Sequence, residues 1–502
     1  VPLRIYNTAT GTKDLFKPIV PGQVGIYVCG MTVYDAPHIG HTMAALHFDL
    51  VVRYLCYKGY RVNYVRNFTD IDDKIIQRAI ADRRPWTVVA EENILRYQDD
   101  MHQMGMQKPD CEPRVTMHIP EIISAIEQLI QQQNAYAVDG DVYFRVRRCA
   151  WYGKLSGRDL DALITGGRID VNESKEDPLD FALWKKSEME GPGWESPWGK
   201  GRPGWHIECS VMSMKYLGSP FDIHGGGIDL LFPHHENELA QSLALSPNGF
   251  CHCWMHNGLV TIEGGKMSHS LKNFLTIQKL LERYHRETVR AFFLSGHYRH
   301  PLEFSFEAMD EAEKLLERYY ETVLRLDRPR LGEGHEDAQG HGQQLKSLPD
   351  AKAAIDGLRQ KFEEAMDDDF NAAAAVGHLF VAIRCLNRLL DERGERYSEG
   401  QRLIHSFLSV RKEIGSCLGV FDEPAPQFLE DLKDRRLKHR GLSKLEVEAL
   451  VAERSRYRAE RDFQRADESR QQLLAMGVMI EDSSSGTLWK VIPGGRKQGV
   501  PL

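Results

Sequence analysis

The sequence predicts an α/β fold: a doubly wound, Rossmann-like parallel sheet carrying an inserted segment, then a helical bundle and a small mixed C-terminal domain. Three observations predict it. Residues 25–29 form a short apolar run, a helical pattern follows with Ala45, Phe48, Val52 and Leu55 in register, and residues 62–65 form the next β-prone run. Strand, crossover helix and strand in so short a span make a βαβ unit. The same alternation resumes after Trp205, and beyond about Leu302 nearly everything is helical and charged.

Taken in order, Gly59 ends the first helix, and a charged segment from Asp70 begins another. Residues 110–203 break the pattern with a helical piece, a hairpin signal at Asp139-Gly140-Asp141 and a stretch rich in Gly, Pro and Trp, so they are expected to be inserted. Then come a helix after Trp205, a strand over 220–224, a triple-glycine loop, a helix over 234–245 and a strand near 254–256. The expected boundaries are 1–109 with 204–305 for the sheet domain, 110–203 for the insertion, 306–422 for the bundle and 423–502 for the last domain. In that last piece two helical runs precede a β-prone end at 487–492.

The 502 residues, at roughly 150 per domain, suit this division, and 42% hydrophobic with 27% charged residues excludes disorder. No run approaches the roughly 18 unbroken apolar residues of a membrane helix, and the start Val1-Pro2-Leu3-Arg4 lacks the regions of a signal peptide. A cytoplasmic protein with no membrane partner is expected. Nine scattered cysteines read as thiols or metal ligands rather than bridges. The net charge of −8 conceals a basic end, with fifteen Lys+Arg against twelve Asp+Glu from Ala425 onward. Such an end suits an anionic polymer, and equally a solvated helical face.

Two strings carry chemistry. His38-Ile39-Gly40-His41 stands where the loop after the first strand meets its helix. Unpaired N–H groups, the positive dipole end, a glycine and two imidazoles there suit a phosphate chain. Far downstream, Lys266-Met267-Ser268-His269-Ser270 follows a glycine pair. An ammonium on a loop over phosphates neutralises charge as pyrophosphate leaves. A polar surface loop explains the second string taken alone; the two in this order point to nucleotidyl transfer.

With these strings in place, the chain resembles the class I aminoacyl-tRNA synthetases. Cys29-Gly30-Met31-Thr32-Val33-Tyr34-Asp35, Asn67-Phe68-Thr69-Asp70-Ile71-Asp72-Asp73-Lys74, Gly204-Trp205-His206-Ile207-Glu208-Cys209-Ser210, Phe221-Asp222-Ile223-His224-Gly225-Gly226-Gly227 and Pro233-His234-His235-Glu236-Asn237-Glu238 narrow the likeness to the cysteinyl members. The resemblance implies activation of L-cysteine with ATP and Mg²⁺, transfer to the 3′ end of the cysteine tRNA, and a monomer. It assigns His38, His41, Lys266 and His269 to catalysis, and Gly40, Gly226, Gly227 and Asp229 to ATP, with His269 touching it as well. Thr69 and Trp205 are assigned to cysteine, although a core or capping role accounts for either, and a helix cap accounts for Asp229.

The resemblance also groups Cys29, Cys209, His234 and Glu238 as the ligands of one zinc ion per chain. The residue types agree. His234 and Glu238, four apart, leave one helical face together, and two sulfurs, a nitrogen and a carboxylate suit Zn²⁺. Zinc has a physical task, because an apolar pocket separates near-isosteric cysteine and serine only by about 10–200-fold. Glu238, the hardest donor, is the one expected to loosen. Cys251, His252, Cys253 and His256 form a rival set with the wrong cysteine spacing for a chelating knuckle, and His224 and His235 are expected in supporting or substrate-contacting roles.

One departure stands out: His269 occupies the place of the family's usual second lysine, which implies slower and more pH-dependent activation. In the tail, Arg454, Arg456, Arg458, Arg461 and Arg465 could track phosphates and Trp489 could stack a base, or they pair with acidic neighbours and pack. The rival functions are a cysteine ligase of mycothiol synthesis, which lacks so long a tail, and a non-catalytic RNA-binding paralogue.

Overall fold

The computed structural model describes residues 2–159, 174–188, 191–262, 265–266, 275–327, 345–483 and 486–493. They divide into two compact units. The first comprises Val1–Val260, His297–Leu302 and Glu364–Asn371, the second Thr261–Gly296, Glu303–Glu363 and Ala372–Leu502.

In the first unit a hairpin of β1 (Arg4–Asn7) and β2 (Thr12–Leu15) precedes β3 (Gln23–Val28), α1 (Ile39–Tyr57) and β4 (Arg61–Arg66). β3 and β4 run parallel, Ile26 opposite Tyr64 and Val28 opposite Arg66. Val24, Ile26, Tyr27 and Val28 are all buried, as a strand covered on both faces requires. Helix α1 buries Ala45, Phe48, Val52 and Leu55 and ends at Lys58, with Gly59 at φ +87° turning the chain back. Helices α2 (Asp73–Asp82) and α3 (Trp86–Gln103) follow.

The insertion holds α4 (Ile119–Gln131), the β5–β6 hairpin (Ala135–Val138, Asp141–Phe144), β7 (Phe181–Lys186) and β8 (Gly201–Pro203), the strands pairing antiparallel in that order. Its Ile122, Ile126, Val142, Phe144, Leu183 and Trp184 belong to one apolar cluster with Tyr27, Val65, Ile207 and Phe221 of the parallel-sheet region. The insertion therefore has no core of its own. After it, α5 (Trp205–Leu217), β9 (Phe221–Gly227), α6 (Glu236–Leu245) and β10 (Cys251–Asn257) complete the parallel sheet in the order β10-β9-β3-β4. From β3 the chain moves outward to β4; from β9 it moves outward the other way to β10. That reversal opens a crevice at the carboxyl ends of β3 and β9.

The three glycines expected as a loop are the last residues of β9, and Gly225 and Gly226 are buried. Close packing rather than turning demands them. A Cβ on Gly225 would lie 2.1 Å from Phe48 Cζ of α1.

The later pieces of the first unit are held by carboxylates. Asp369 Oδ1 accepts from Tyr6 N and Tyr298 OH at 2.8 Å each, and its Oδ2 accepts from Arg299 Nε at 2.7 Å. Asp367 accepts from Tyr54 OH at 2.7 Å.

The second unit contains β11 (Val260–Ile262) from Thr261 onward, β12 (Gly265–Lys266), α7 (Ile277–Arg283), α8 (Arg286–Phe293) and, past β13 (Leu302–Phe304), the helices α9 (Phe306–Leu326), α10 (Leu348–Asp356), α11 (Leu358–Asp367) as far as Glu363, α12 (Ala372–Asp391) and α13 (Ser398–Leu418). Helix α12 is long and apolar enough to cross a membrane by composition, and its Leu379, Phe380, Ile383, Leu386 and Leu389 are buried. The chain ends in α14 (Ala425–Arg440), α15 (Lys444–Ala459), α16 (Phe463–Ala475) and the antiparallel pair β14 (Val478–Ser483) and β15 (Gly486–Val491). The tail thus has three helices where two were expected, because Gly441 at φ +68° and Arg461 at φ +61° both interrupt the charged run.

Candidate metal centre and nucleotide loop

Cys29 directly follows β3, Cys209 lies on α5, His234 precedes α6 and Glu238 lies within it. The fold brings one donor atom from each to within 4.8 Å of all the others. Glu238 Oε1 lies 3.2 Å from Cys29 Sγ and 2.9 Å from His234 Nε2. Cys209, His234 and Glu238 are each at most 1% exposed.

Burial alone would raise the Cys209 thiol, but hydrogen bonds from Cys29 and His234 outweigh it and bring its pKa down to about 6. Burial opposes a charge on His234 too, and the Glu238 carboxylate overcomes that and lifts it to about 10. Burial likewise works against the Glu238 carboxylate, yet His224 and His234 hold it well below the usual range. Cys29, raised by burial, keeps its proton. Thiolate, imidazolium and carboxylate thus converge in a dry place. This donor set and spacing fit a zinc ion, which replaces such protons when it binds.

Among the described residues a second quartet meets the same spacing, Cys29, His224, His235 and Glu238. His224, on β9, bonds through Nε2 to Glu238 Oε2 at 2.9 Å and stacks on Trp254, ring centroids 4.4 Å apart. Cys251 and Cys253 enter neither quartet and are free thiols of β10.

Asn67, Glu208 and His206, to which the sequence reading assigns no role, also border the centre. Asn67 Oδ1 accepts from Gly30 N at 2.9 Å and lies 3.7 Å from Cys209 Sγ. Glu208 Oε2 accepts from Thr69 Oγ1 at 3.1 Å, so the buried Thr69 hydroxyl is already oriented. His206 Nδ1 lies 2.9 Å from His234 Nδ1. Asn67 and Thr69 stand in one quoted string and His206 and Glu208 in another, but which of them touch is set by chain crossings that no local pattern encodes. Trp205, 37% exposed, stacks on His234 at the mouth of the centre.

His38 caps α1. Its Nδ1 accepts from Gly40 N at 3.1 Å, its own N donates to His41 Nδ1 at 3.3 Å, and the two rings stack with centroids 3.8 Å apart. The paired imidazoles therefore stand at the positive end of a buried 19-residue helix. Glycine at 226 is required by the buried His235, whose Cε1 would lie 2.9 Å from a Cβ, whereas at 227 a Cβ would meet only the carboxylate of the exposed Asp229. Asp229 is exposed and lies within the short turn Ile228–Leu230, whose N-cap is Gly227. Lys266 is the last residue of β12, its backbone opposite Thr261. His269 lies outside the described residues.

In the tail, Arg454 is a structural residue. It is 6% exposed and grips Asp482 through two bonds of 2.8 Å. Arg456, Arg458, Arg461 and Arg465 are exposed, Arg458 also meeting Asp482. Trp489 packs against the small core of this region beneath Lys433, whose Nζ lies 4.4 Å from the ring centroid.

Residues 15–314 match the family model of the class I (C) tRNA synthetase catalytic domain, residues 361–422 the DALR domain, and residues 440–489 the cysteinyl-tRNA ligase anticodon binding domain. A cysteine–tRNA ligase of Geobacter metallireducens is 49% identical over 489 residues, 97% of this chain and 99% of that protein. One from Nitratidesulfovibrio vulgaris is 48% identical over 495 residues, 98% of this chain and 100% of that protein. Among solved structures, a methionyl-tRNA synthetase of Mycobacterium tuberculosis in complex with methionyl-adenylate shares the fold at a TM-score of 0.59 and 17% identity, covering 84% of this chain and 94% of that one. Near-half identity along almost the whole length, over a matching catalytic domain, places the chain in the cysteine–tRNA ligase family of class I aminoacyl-tRNA synthetases.

Proposed function

We propose that the chain joins L-cysteine to ATP, giving cysteinyl-adenylate and pyrophosphate, and passes the cysteinyl group to the 3′-terminal ribose hydroxyl of the cysteine tRNA. The convergence of Cys29, Cys209, His234 and Glu238 at the carboxyl end of β3 supports this most strongly. A bound zinc ion would supply a soft Lewis acid for which a thiolate is a strong ligand and an alcohol a poor one. Trp205 would close the pocket over the cysteine and Thr69 would meet it from below. Glu238, if it loosens, has His224 as a resting partner.

ATP with its Mg²⁺ is placed at the start of α1. There the helix N–H groups, Gly40 and the imidazoles of His38 and His41 would hold the phosphates, with Lys266 and His269 as further cations. Gly226, Gly227 and Asp229 are assigned to adenosine, Asp229 to its ribose. The segments 1–109 with 204–305, 110–203, 306–422 and 423–502 are proposed as catalytic, connective, bundle and anticodon-reading parts of a cytoplasmic monomer. The test is cysteine-dependent exchange of pyrophosphate into ATP, then charging of a cysteine tRNA transcript, with serine as competitor. Exchange without charging would point to an amino-sugar acceptor, and absence of both to an RNA-binding protein without catalysis.

A further inference from the structure

Glu238 faces two ways. Its Oε1 serves Cys29 and His234, while its Oε2 meets His224 Nε2 at 2.9 Å. His235 Nε2 lies 4.0 Å from Glu238 Oε1, a spacing that two ligands of one ion can share. That Nε2 is fully buried and has no hydrogen-bond partner among the described residues.

The other ring nitrogen explains the orientation. His235 Nδ1 lies 2.7 Å from His256 Nε2, and His256 Nδ1 lies 2.8 Å from Thr8 Oγ1. When each imidazole donates from Nδ1, toward His256 and then toward Thr8, His235 Nε2 is left as a bare lone pair. That is the tautomer in which histidine ligates a metal, and an outward Nδ1–H bond is the usual support of such a ligand. Gly226 leaves the ring its space, since a Cβ there would lie 2.9 Å from His235 Cε1. A buried lone pair aimed among a thiol, a carboxylate and a second imidazole calls for a Lewis acid.

We propose that Cys29, His224, His235 and Glu238 form a second position for a divalent transition metal, sharing two donors with the Cys29–Cys209–His234–Glu238 position, so that one ion occupies one place or the other. This rests on the metal-binding reading above. Moving between the two exchanges Cys209 and His234 for His224 and His235, one thiolate for one imidazole. The new donor set of one sulfur, two nitrogens and one oxygen favours metals of borderline softness. It is also the more enclosed, because His224 stacks on buried Trp254 whereas His234 stacks on part-exposed Trp205.

Metal-free full-length protein titrated with Co²⁺ tests this, reading bound metal and the thiolate-to-cobalt charge-transfer band. Wild type is expected to hold one ion with the intensity of two thiolates. Cys209→Ala is expected to keep one ion at about half that intensity, one thiolate having been lost. His235→Gln added to Cys209→Ala should abolish binding, while His235→Gln alone keeps the wild-type spectrum. Thermal melting checks folding, and Cys209→Ser takes the place of the alanine variant should that not fold. A folded Cys209 variant without cobalt, or two ions in wild type, overturns the second position. No cobalt in wild type overturns the metal-binding reading itself.

Discussion

The indole of Trp205 lies on the imidazole of His234, ring centroids 4.3 Å apart and planes inclined by 29°. This couples the mouth of the centre to one of its donors. Replacing the ring by Trp205→Leu removes a contact of about 0.5–1.5 kcal/mol. The expected outcome is a several-fold higher KM for cysteine with bound metal unchanged, measured by pyrophosphate exchange and metal analysis. An unaltered KM would mean that the ring serves only as a lid on His234.

Gly225 has no room for a side chain beside Phe48. Gly225→Ala is expected to destabilise the first unit by about 1–3 kcal/mol through overpacking. Phe48→Leu in the same chain should return part of that loss. Urea unfolding of the single and double variants measures both, and simple additivity would show that the two residues do not compete for space.

His38 serves both as a helix cap and as a proposed phosphate ligand, and the roles can be separated. Asparagine is among the best caps, so His38→Asn should melt close to wild type. Adenylate formation should nevertheless slow by roughly 100-fold, the usual loss when one electrostatic donor to a transition state is removed. A variant with normal exchange kinetics would leave His38 with the cap alone.

The tail arginines should divide by burial. Arg454→Ala leaves Asp482 without its bidentate partner, at a cost of about 1 kcal/mol once the exposure of Asp482 is discounted. The exposed Arg456, Arg461 and Arg465 should change melting little when replaced by alanine. If they meet RNA phosphates, their loss flattens the salt dependence of tRNA binding. A filter-binding salt series on the triple variant decides this.

His285 caps α8, its Nδ1 accepting from Glu287 N at 3.2 Å. Burial lowers its pKa to about 4. The unfolded chain takes up this proton near 6.5, before the folded one does. The stability gained by holding His285 neutral is therefore complete above about pH 6.5 and lost as the pH falls from there to about 4. His285→Asn, which caps without titrating, should flatten the pH dependence of denaturant unfolding across that window, and an unchanged slope would refute the assignment.

The βαβ unit was legible because Ala45, Phe48, Val52 and Leu55 repeat at one period while residues 62–65 form a compact apolar run. That His38 stands at the start of the first helix was legible from its place after the strand, but its capping bond to Gly40 was not. Other features lie beyond local pattern. The triple glycine reads as a turn from sequence, since nothing nearby announces that Phe48 and His235 press against those residues from other elements. The bond of His224 to Glu238 forms only when β9 and α6 meet, so no local pattern announces it. Arg454 and Arg456 look alike in the sequence, and only the return of β14 distinguishes the arginine that Asp482 holds from the one left in solvent.

Asp369 has a consequence for synthesis. Its carboxylate receives the amide of Tyr6, the hydroxyl of Tyr298 and the guanidinium of Arg299. A nascent polypeptide leaving the ribosome therefore displays Tyr6 for 363 residues, and Tyr298 for 71, before their acceptor emerges. These bonds of the first unit close late in translation, and a chain shortened just after residue 305 would be born with that knot untied.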